Sequence, residues 1–508
     1  MPLLQSVFSQ VLSWTGLCQV LFVVRRRIRS FGCSLDGQAV GATRLMQSTE
    51  EGLLEVDELV QTYKHSCSWF LGPFYHFVRL FHPDYVKPLL MAPASITVKD
   101  ELIYGHLRPW LGKSLLISNG EEWSRKRRLL TPAFHFDILK NYVAMFNAST
   151  NIMHDKWLRL VSEGTTNLEM FDHVILMTLD SLLKCAFSYN SNCQQSTSEY
   201  VMAIVELSDL IIDRRQRILH HWDWIYWKTE QGKRFKKALS IVHRFTREVV
   251  QKHRAQISQQ REKETDFTTV PQRKKDFVDI ILLSKDEDGQ GLTDEEIQAE
   301  ANTFMFAGHD TTASAICWTL YNLACHDHYQ EKCRQEVMDL MQGRDEHTIE
   351  WEDLSNLPFT TMCIRESLRL HSPVQAVTRK YTHDMALPGD CTVPQVSIYG
   401  THHNPAVWEN PHEFNPLRFD PTNKERLASH AFIPFSSGPR NCIGQKFALA
   451  ELRVVVALTL LRFRLSPGVN PELGNKSGGV RRLPQLVLRA EGGLWLQVEP
   501  LDQSNMDD

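Results

Sequence analysis

One cysteine stands between two glycines in the stretch 435–444, Phe-Ser-Ser-Gly-Pro-Arg-Asn-Cys-Ile-Gly. Gly438 and Gly444 allow backbone conformations that are closed to other residues, so a tight loop can turn amide N–H groups toward Cys442. Arg440 adds a fixed positive charge two residues before the thiol, and both effects stabilise a thiolate. An apolar, helix-forming run follows at once. The pattern predicts a loop that leads into a helix and holds a charged sulfur at the junction.

The length and composition of the chain limit its class. With 508 residues, of which 43% are hydrophobic, the chain can bury a large core; length alone suggests two or three domains, although large single-domain folds also fit. A net charge of -4 gives no electrostatic footprint for nucleic acid. The eleven cysteines are odd in number and scattered, which argues against a disulfide framework and for a reducing compartment.

The amino terminus has the pattern of a membrane anchor. Residues 1–24 are mostly apolar and end at an arginine cluster, residues 25–29. A cleavable signal carries its charge before the apolar region, whereas here the charge follows and keeps the rest of the chain cytosolic. A helix that lies in the membrane surface is the alternative. We therefore predict an anchor at 1–24, a basic flank and linker at 25–52, and a catalytic domain at 53–508.

A long helix is predicted from about Asp294 to Leu323. Thr293 can cap it, with Glu296 reaching back to the cap. The preceding segment, Ser284–Glu295, resembles a calcium loop only in part, because its first ligand position is Ser284. We interpret this segment as an acidic turn that leads into the helix.

The centre of this helix reads Ala-Gly-His-Asp-Thr-Thr, residues 307–312. A glycine inside a helix costs on the order of 1 kcal/mol relative to alanine, and such a local inconsistency is typical of a functional site. Gly308 is predicted to let a flat group approach the backbone, Thr311 to bond the carbonyl behind it, and Asp310 to pass protons. A simple kink with a satisfied hydroxyl is the alternative.

A basic helix is predicted at residues 121–130. Trp123 and Arg127 are four residues apart and share one face, where an indole N–H and a guanidinium can hold a carboxylate. Arg125, Lys126 and Arg128 point elsewhere and are predicted to form a docking surface for an acidic partner.

Two further features have structural interpretations. Glu366 and Arg369 lie at i and i+3 of one helical face, and Arg418 is a candidate third member if the pair is buried. The aromatic cluster Trp222–Trp227 is either packed between helices or touches a membrane interface.

From Leu53 to the carboxyl terminus, these motifs in this order resemble the cytochrome P450 haem-thiolate monooxygenases. The chain is most similar to family 4, the fatty-acid and eicosanoid ω-hydroxylases, and within it to the leukotriene subgroup. The motifs are Phe-x-x-Gly-x-Arg-x-Cys-x-Gly, Glu-x-x-Arg, Ala-Gly-x-Asp-Thr-Thr and Trp-x-x-x-Arg. The resemblance implies a mainly α fold with smaller β-sheets, a long central helix and a proximal cysteine loop.

The resemblance also implies roles for individual residues. Cys442 would be the axial ligand of the haem iron, and Asp310 and Thr311 the acid–alcohol pair that steers protons. Glu366, Arg369 and Arg418 would lock the core behind the cysteine loop. The residues expected to contact haem b are Trp123, Arg127, Ala307, Gly308, Arg379, Phe435, Arg440, Cys442 and Gly444.

The partners follow from the same resemblance. No dinucleotide fingerprint is present, so electrons would come from NADPH–cytochrome P450 reductase, with cytochrome b5 as a further expected partner. Both would dock near Arg125, Lys126, Arg128 and Lys446. The expected location is the endoplasmic reticulum membrane, with the catalytic domain on the cytosolic face, and no nucleic-acid partner is expected.

Two departures from the family pattern affect the expectations. Many family 4 members carry a haem-esterifying glutamate where this chain has Ala307, so non-covalent haem is expected. The segment 393–398 is about six residues shorter than usual, and loss of part of a central strand is expected to shift register and expose core.

The expected function is hydroxylation of long-chain fatty acids or eicosanoids, such as leukotrienes or arachidonate, at or near the ω carbon. One alternative is a haem-thiolate lipid isomerase that needs no reductase, against which Asp310 and Thr311 argue. The other is a haem-binding protein whose turnover is impaired by the shortened strand.

Overall fold

The computed structural model describes residues 48–71, 75–195, 198–264, 277–344, 348–381, 393–471 and 479–501. The predicted membrane anchor, residues 1–24, and most of the predicted linker lie outside these ranges. Within them, every helix is too short or too polar to cross a lipid bilayer.

Helices make up most of the described chain. The α-helices are α1 (Glu50–Tyr63), α2 (Pro83–Met91), α3 (Glu101–Tyr104), α4 (Arg108–Leu111), α5 (Gly120–Leu130), α6 (Phe136–Ser162), α7 (Met170–Phe187), α8 (Glu199–Gln216), α9 (Asp223–Tyr226), α10 (Glu230–Glu264), α11 (Phe277–Leu283), α12 (Asp294–Ala324), α13 (Asp327–Met341), α14 (Pro358–Leu370), α15 (Ile398–His402) and α16 (Gln445–Arg462). Short 3₁₀ turns connect several of them, at Gly105–Leu107, Thr131–Phe134, Ile218–His221, Glu352–Asn356, Pro416–Phe419 and Pro421–Arg426.

The strands are short and form small sheets. They are β1 (Ser66–Leu71), β2 (Tyr75–Leu80), β3 (Thr97–Val98), β4 (Asn167–Glu169), β5 (Ala376–Thr378), β6 (Lys380–Tyr381), β7 (Val393–Ser397), β8 (Phe463–Pro467), β9 (Arg482–Pro484), β10 (Leu488–Ala490) and β11 (Trp495–Pro500). The largest sheet has the order β1-β2-β7-β5, and β4-β11-β8, β9-β10 and β3-β6 form the others. The predicted mainly α fold with smaller β-sheets is confirmed.

Helix α1 begins inside the segment predicted as linker. Thr49 caps it, because its hydroxyl accepts a hydrogen bond from the Gly52 amide at 3.4 Å. Glu50, in the first turn, pairs with Arg482 on β9. Residues 50–52 are therefore helical and tied to the folded body, so the linker ends earlier than residue 52.

Helix α12 runs through the middle of the molecule, with the bounds that the sequence predicts to within one residue. The Thr293 hydroxyl accepts from the Glu296 amide at 3.2 Å, and the Glu296 carboxylate accepts from the Thr293 amide at 2.9 Å. The helix packs against α7, α10, α14 and α16, and its residues are buried on nearly all sides. A helix that is covered all round needs no polar face, which explains its weak amphipathicity.

Strand β7 forms in spite of its short length. Val393–Val396 pair in parallel with Phe77–Leu80 of β2, and β5 pairs with the other edge of β7. Val396 is fully buried and Gln395 nearly so. In the described residues, the expected exposure of core at this strand is therefore wrong. The preceding segment, residues 382–392, lies outside the description.

A buried ion cluster joins α14 to the turn at Pro416–Phe419. Arg369 forms a two-bond pair with Glu366, at 2.7 and 2.9 Å, and Arg418 reaches the same carboxylate at 3.2 Å. Arg369 also donates to the carbonyls of His402, Pro411 and Glu413. The predicted contact among the three side chains is present, and Glu366 and Arg369 are fully buried.

The aromatic cluster at Trp222–Trp227 is divided between core and surface. Tyr226 is fully buried and stacks under the Arg214 guanidinium, 4.1 Å from the ring centre. Trp222 and Trp224 are more than half exposed. Packing is therefore confirmed for Tyr226, whereas contact of Trp222 and Trp224 with a membrane interface stays a prediction.

Glu451 on α16 is a fully buried carboxyl group. Neither of its oxygens makes a well-formed hydrogen bond within the described chain, although the Ser181 hydroxyl lies near enough to lower its pKa in part. Burial dominates and raises the pKa of Glu451 to about 8. The folded protein therefore holds a proton on this group that the unfolded chain releases near its ordinary pKa.

This proton makes stability depend on pH. Because the pKa of Glu451 is raised in the folded protein, its contribution to the free energy of unfolding is present in acid and is lost as the pH rises toward 8. Between pH 6 and pH 8 the wild type should lose about 2 kcal/mol of its free energy of unfolding through this group. Glu451→Gln cannot ionise at this position, so we expect it to be spared that loss. Thermal unfolding at both pH values measures this. Glu300, whose pKa burial raises to about 7, is present in both proteins and cancels. If the melting temperatures of the wild type and of Glu451→Gln fall equally between pH 6 and pH 8, the prediction is contradicted.

Candidate active site

A cavity of about 520 Å³ is lined by α12, α5, β5 and the loop 435–444. Its walls are mostly apolar. Ten of the residues predicted from sequence line it: Trp123, Arg127, Ala307, Gly308, Thr311, Arg379, Phe435, Arg440, Cys442 and Gly444. The structure thus brings together residues that are up to 321 positions apart, Trp123 and Gly444 being the extremes.

The cysteine loop is held by its own backbone. The Cys442 amide donates to the Phe435 carbonyl at 2.9 Å, and the Asn441 amide donates to the Gly438 carbonyl at 3.1 Å. Gly438 has a φ of +72°, and a Cβ there would lie 2.0 Å from the Leu90 carbonyl oxygen. Only glycine fits both conditions. The loop conformation is therefore specified by Gly438.

Gly444 does not use the backbone freedom that was predicted for it. Its φ of -85° is open to any residue. A Cβ at this position would lie 3.9 Å from the Cys442 sulfur, in ordinary contact. Gly444 therefore leaves space beside the sulfur, and its amide contributes a hydrogen bond toward that atom.

The thiol of Cys442 keeps its accessible surface on the cavity side. Surrounding protein raises the pKa of Cys442 by desolvation, while the Gly444 amide and the Arg127 charge act in the opposite direction. Arg440 does not stabilise the sulfur as predicted; it lies over the Trp123 ring, 4.5 Å from its centre. A metal ion bound at the sulfur would favour the thiolate, because metal coordination deprotonates thiols.

Four cations gather at one part of this cavity around Trp123. They are Lys99, Arg127, Arg379 and Arg440, and no Asp or Glu lines the cavity among the described residues. The charges of Arg379 and Arg440 reach Lys99, and burial together with Arg379 lowers the pKa of Arg440 to about 10. Buried like charges without a counter-ion are costly, so this part of the cavity suits a ligand with several negative charges.

The contacts of these cations fix their directions. Arg127 donates to the carbonyl and the side-chain oxygen of Asn441, at 3.0 and 2.8 Å. Arg440 donates to the Ser118 carbonyl at 3.0 Å and to Asn119 Oδ1 at 3.1 Å. Arg379 donates to the Thr378 carbonyl at 2.9 Å. Arg127 and Arg440 thus tie α5 and the residues just before it to the cysteine loop.

Lys99 is a member of this group that the sequence analysis missed. Its ammonium donates to the Tyr104 hydroxyl at 3.1 Å, and burial lowers its pKa well below the ordinary value. A single lysine in Ile-Thr-Val-Lys-Asp-Glu carries no local signal. Only its position beside Arg379 and Arg440 reveals it.

Thr311 and Asp310 face different surroundings. The Thr311 hydroxyl donates to the Ala307 carbonyl at 2.7 Å, as predicted, and the residue lines the cavity. Asp310 is buried, pairs with Arg489 on β10 and is not part of the cavity wall. The acid–alcohol pair is thus adjacent in sequence but divided in this structure, and Arg489 was not predicted.

Gly308 takes part both in helix packing and in the cavity wall. A Cβ on Gly308 would lie 3.0 Å from both terminal methyl groups of Leu182 on α7. Gly308 also lines the cavity, and its role in admitting a flat group stays a prediction. Ala307 lines the cavity beside Gly308 and, unlike a glutamate, has no carboxylate to offer there.

The predicted docking surface on α5 is only partly exposed. Lys126 is fully buried and pairs with Glu122, Glu296 and Glu300, at 3.0, 3.5 and 3.9 Å. Arg125 pairs with Asp286 at 2.6 Å. Arg128 and Lys446 are exposed. Lys126 therefore cannot meet a partner, and Arg125 is already engaged.

The haem implied by the sequence resemblance fits this site. A thiol at the cavity wall suits the iron, the apolar walls suit a flat apolar ring, and the four cations suit carboxylate side arms. The main support for this fit is that cations line the described cavity without any Asp or Glu to pair with them.

Comparisons with known proteins agree with the site. The sequence profile of the family described as cytochrome P450 matches residues 39–488. Cytochrome P450 4F3 of Homo sapiens is 54% identical over 469 residues, 91% of this chain and 88% of that protein. The ultra-long-chain fatty acid omega-hydroxylase of Homo sapiens is 50% identical over 497 residues, 97% and 92% of the two chains. Leukotriene-B4 omega-hydroxylase 3 of Mus musculus is 53% identical over 470 residues, 91% and 88%. The cysteine loop, the cavity and these matches agree, and the chain belongs to the cytochrome P450 family.

Proposed function

We propose that this protein hydroxylates long-chain fatty acids or eicosanoids at or near the ω carbon, as a membrane-bound haem-thiolate monooxygenase. The observation that carries the proposal is a largely apolar cavity that joins Cys442, Thr311 and a carboxylate-free group of cations. The names of the relatives, a fatty acid omega-hydroxylase and a leukotriene-B4 omega-hydroxylase, support the same substrate class.

Each cavity residue has a proposed role. Cys442 would hold the iron of haem b through its sulfur, and a thiolate there would supply electron density that favours O–O cleavage. Lys99, Arg127, Arg379 and Arg440, with the Trp123 indole, would hold the haem carboxylates. The apolar walls exclude water from the reacting carbon.

Proton handling is assigned to α12. The Thr311 hydroxyl donates a hydrogen bond to the Ala307 carbonyl, so the lone pairs of Oγ1 would accept a hydrogen bond from a proton donor at the cavity wall. Asp310 would supply protons after leaving Arg489, since its carboxylate is otherwise occupied. Glu366, Arg369 and Arg418 would have a structural role.

The proposed partners supply electrons. NADPH–cytochrome P450 reductase would be the donor, with cytochrome b5 as a further partner, and exposed Arg128 and Lys446 would take part in docking. Residues 1–24 would anchor the chain in the endoplasmic reticulum membrane, the residues from 25 to the start of α1 would act as linker, and the catalytic domain, from α1 onward, would face the cytosol.

The haem is proposed to be non-covalent. An ester needs a carboxyl group at the cavity wall, and none lines the described cavity, where Ala307 stands at the relevant position of α12. We expect acid-acetone treatment to release the haem completely from the denatured wild-type chain. Ala307→Glu is the matched variant, in which part of the haem should stay on the polypeptide after turnover. Haem that remains on the wild-type chain would contradict this proposal.

Turnover assays test the function itself. Purified holoprotein, reductase, NADPH and O2 are incubated with arachidonic acid, and the products are identified by mass spectrometry. We expect hydroxylation at or near the ω carbon that depends on NADPH. Conversion of a lipid hydroperoxide without reductase would favour the isomerase alternative. A thiolate-type carbon monoxide spectrum without any lipid oxidation would favour the alternative of a haem-binding protein with impaired turnover.

A further inference from the structure

Several uncharged polar atoms of the cavity wall are buried without a hydrogen-bond partner among the described residues. Among them are Thr303 Oγ1, Gln375 Oε1, Thr378 Oγ1 and Ser436 Oγ. Thr378 precedes Arg379, and Ser436 lies in the cysteine loop, so these two belong to the surroundings of the proposed haem. Thr303 on α12 and Gln375, just before β5, remain to be explained.

Thr303 differs from the threonines that follow it on α12. The hydroxyls of Thr311 and Thr312 donate to the carbonyls of Ala307 and Gly308, each at 2.7 Å. A bond of this kind, to the carbonyl one turn back, is the usual partner of a threonine inside a helix. The Thr303 hydroxyl makes no such bond, although the residue is only 5% exposed. Its hydroxyl is therefore available to a group inside the cavity.

The position of Thr303 sets it apart from the proposed reacting centre. Thr303, Ala307 and Thr311 follow one another at intervals of four residues, share one face of α12 and line the cavity. Eight residues of α-helix rise about 12 Å, so Thr303 lies about that far from Thr311 along the helix axis. A ligand group that binds Thr303 is therefore remote from a carbon that reacts beside Thr311.

Gln375 presents a buried acceptor. Its Nε2 donates to the Ser372 carbonyl, which can only accept, so the side-chain oxygen is the atom without a partner. The backbone is fixed as well, because the Gln375 carbonyl accepts from the amides of Ile398 and Tyr399, at 2.9 and 3.1 Å. An amide oxygen only accepts hydrogen bonds, so a ligand that satisfies Gln375 must bring a donor.

The charged groups of the wall have the opposite requirement. Besides the four cations around Trp123, the wall carries Arg79 and Arg215, and the charge of Arg79 acts on Arg215. Guanidinium groups only donate, and the carboxylate of a lipid acid only accepts, so a carboxylate cannot satisfy Gln375. A hydroxyl both donates and accepts. It therefore fits Gln375 and Thr303 alike.

A water molecule is a poor substitute at these two positions, because a buried water needs several polar partners. Val374 and Ala376 flank Gln375, and Ala307 lies one turn from Thr303; all three line the cavity and offer it apolar side chains. A buried polar atom without a partner costs free energy. A ligand hydroxyl that reaches either atom is stabilised by removing that cost.

We propose that Thr303 and Gln375 bind hydroxyl groups within the chain of the lipid substrate, so that the cavity favours hydroxylated long-chain acids over unsubstituted ones. This inference rests on the proposed function. Both residues determine which lipid is selected and take no part in the oxygen chemistry.

Positional isomers of hydroxylated arachidonic acid test this inference. Each isomer, with its hydroxyl at a different carbon, and arachidonic acid itself are titrated into holoprotein, and binding is followed by the shift of the Soret band. In the wild type, at least one isomer should bind about 2- to 12-fold more tightly than arachidonic acid, the net gain from a hydrogen bond.

Thr303→Val and Gln375→Met remove the two polar groups with little change in volume. In each variant, an isomer whose hydroxyl contacts the changed residue should lose about 5- to 100-fold in affinity, because that hydroxyl is then buried without a partner. The Kd of arachidonic acid should stay within about twofold of the wild-type value. Thr303→Ser retains a hydroxyl and should retain the preference.

Thr312→Val is the matched control. Thr312 also lines the cavity, but its hydroxyl already donates to the Gly308 carbonyl. The ratio of the Kd values of arachidonic acid and the preferred isomer should stay as in the wild type. If Thr303→Val does not assemble with haem, Thr303→Ala provides the same comparison.

The outcomes separate this inference from the proposed function. If no isomer binds more tightly than arachidonic acid, or if every isomer keeps its preference in Thr303→Val or in Gln375→Met, the hydroxyl site is overturned while wild-type oxidation of arachidonic acid stands. A wild type that neither binds nor oxidises any of these lipids would overturn both.

Discussion

Cys442→Ser is expected to remove the thiolate-type Soret band from the ferrous carbon monoxide difference spectrum and to reduce lipid oxidation to background. Cys442 is the cysteine of the cavity wall in the described chain, and a serine oxygen does not replace a thiolate in electron donation to iron. The loop itself should persist, because the bond from residue 442 to the Phe435 carbonyl uses the backbone amide.

The control for this variant is Cys325→Ser. Cys325 is exposed, follows the end of α12 and is not part of the cavity wall. It should keep the spectrum and the activity of the wild type. A Cys442→Ser protein with an unchanged spectrum would show that another residue ligates the iron, and would remove the foundation of the proposed function.

Arg369→Ala is expected to prevent accumulation of folded holoprotein. Arg369 is fully buried, forms two bonds with Glu366 and donates to three backbone carbonyls. Its removal takes away the donor to those carbonyls. It also leaves Arg418 as the remaining cation beside Glu366. Breaking a buried ion pair costs about 3–5 kcal/mol, a large part of the roughly 5–15 kcal/mol that stabilises a typical protein. Yield of holoprotein and its melting temperature measure the effect.

Arg244→Ala is the matched control for this loss. Arg244 lies inside a helix and also pairs with a glutamate, Glu199 at 3.1 Å, but both side chains are more than half exposed. Exposed pairs contribute less than about 1 kcal/mol, so this variant should resemble the wild type. Similar stability of the two variants would mean that the buried cluster does not lock the core.

Features specified within a few residues could be predicted from sequence. The capping box at Thr293 and Glu296, the extent of α12, the Thr311 bond to Ala307 and the pair Glu366–Arg369 all depend on positions at most four apart. Their geometry follows from helix periodicity, which the sequence displays directly. The cysteine loop belongs to the same group, because Gly438 and Cys442 lie within one turn of chain.

Burial decided other features that the sequence does not display. Lys126 was predicted to lie on the surface in a basic run, yet α12 brings Glu296 and Glu300 over it. Gly308 lines the cavity, and Leu182 on α7 packs beside it in a way that was not predicted. In both cases the deciding neighbour is more than a hundred positions away, and no local pattern reports it.

The sequence by itself determined the family, the cysteine loop and the main helix, because each depends on a short motif whose residues act through local geometry. Only the tertiary structure decided how charge is distributed in the cavity. Lys99 joins Arg379 and Arg440, Arg215 joins Arg79, and Asp310 turns to Arg489. Electrostatic energy depends on distance and burial, and both are set by packing of elements that are remote in the chain.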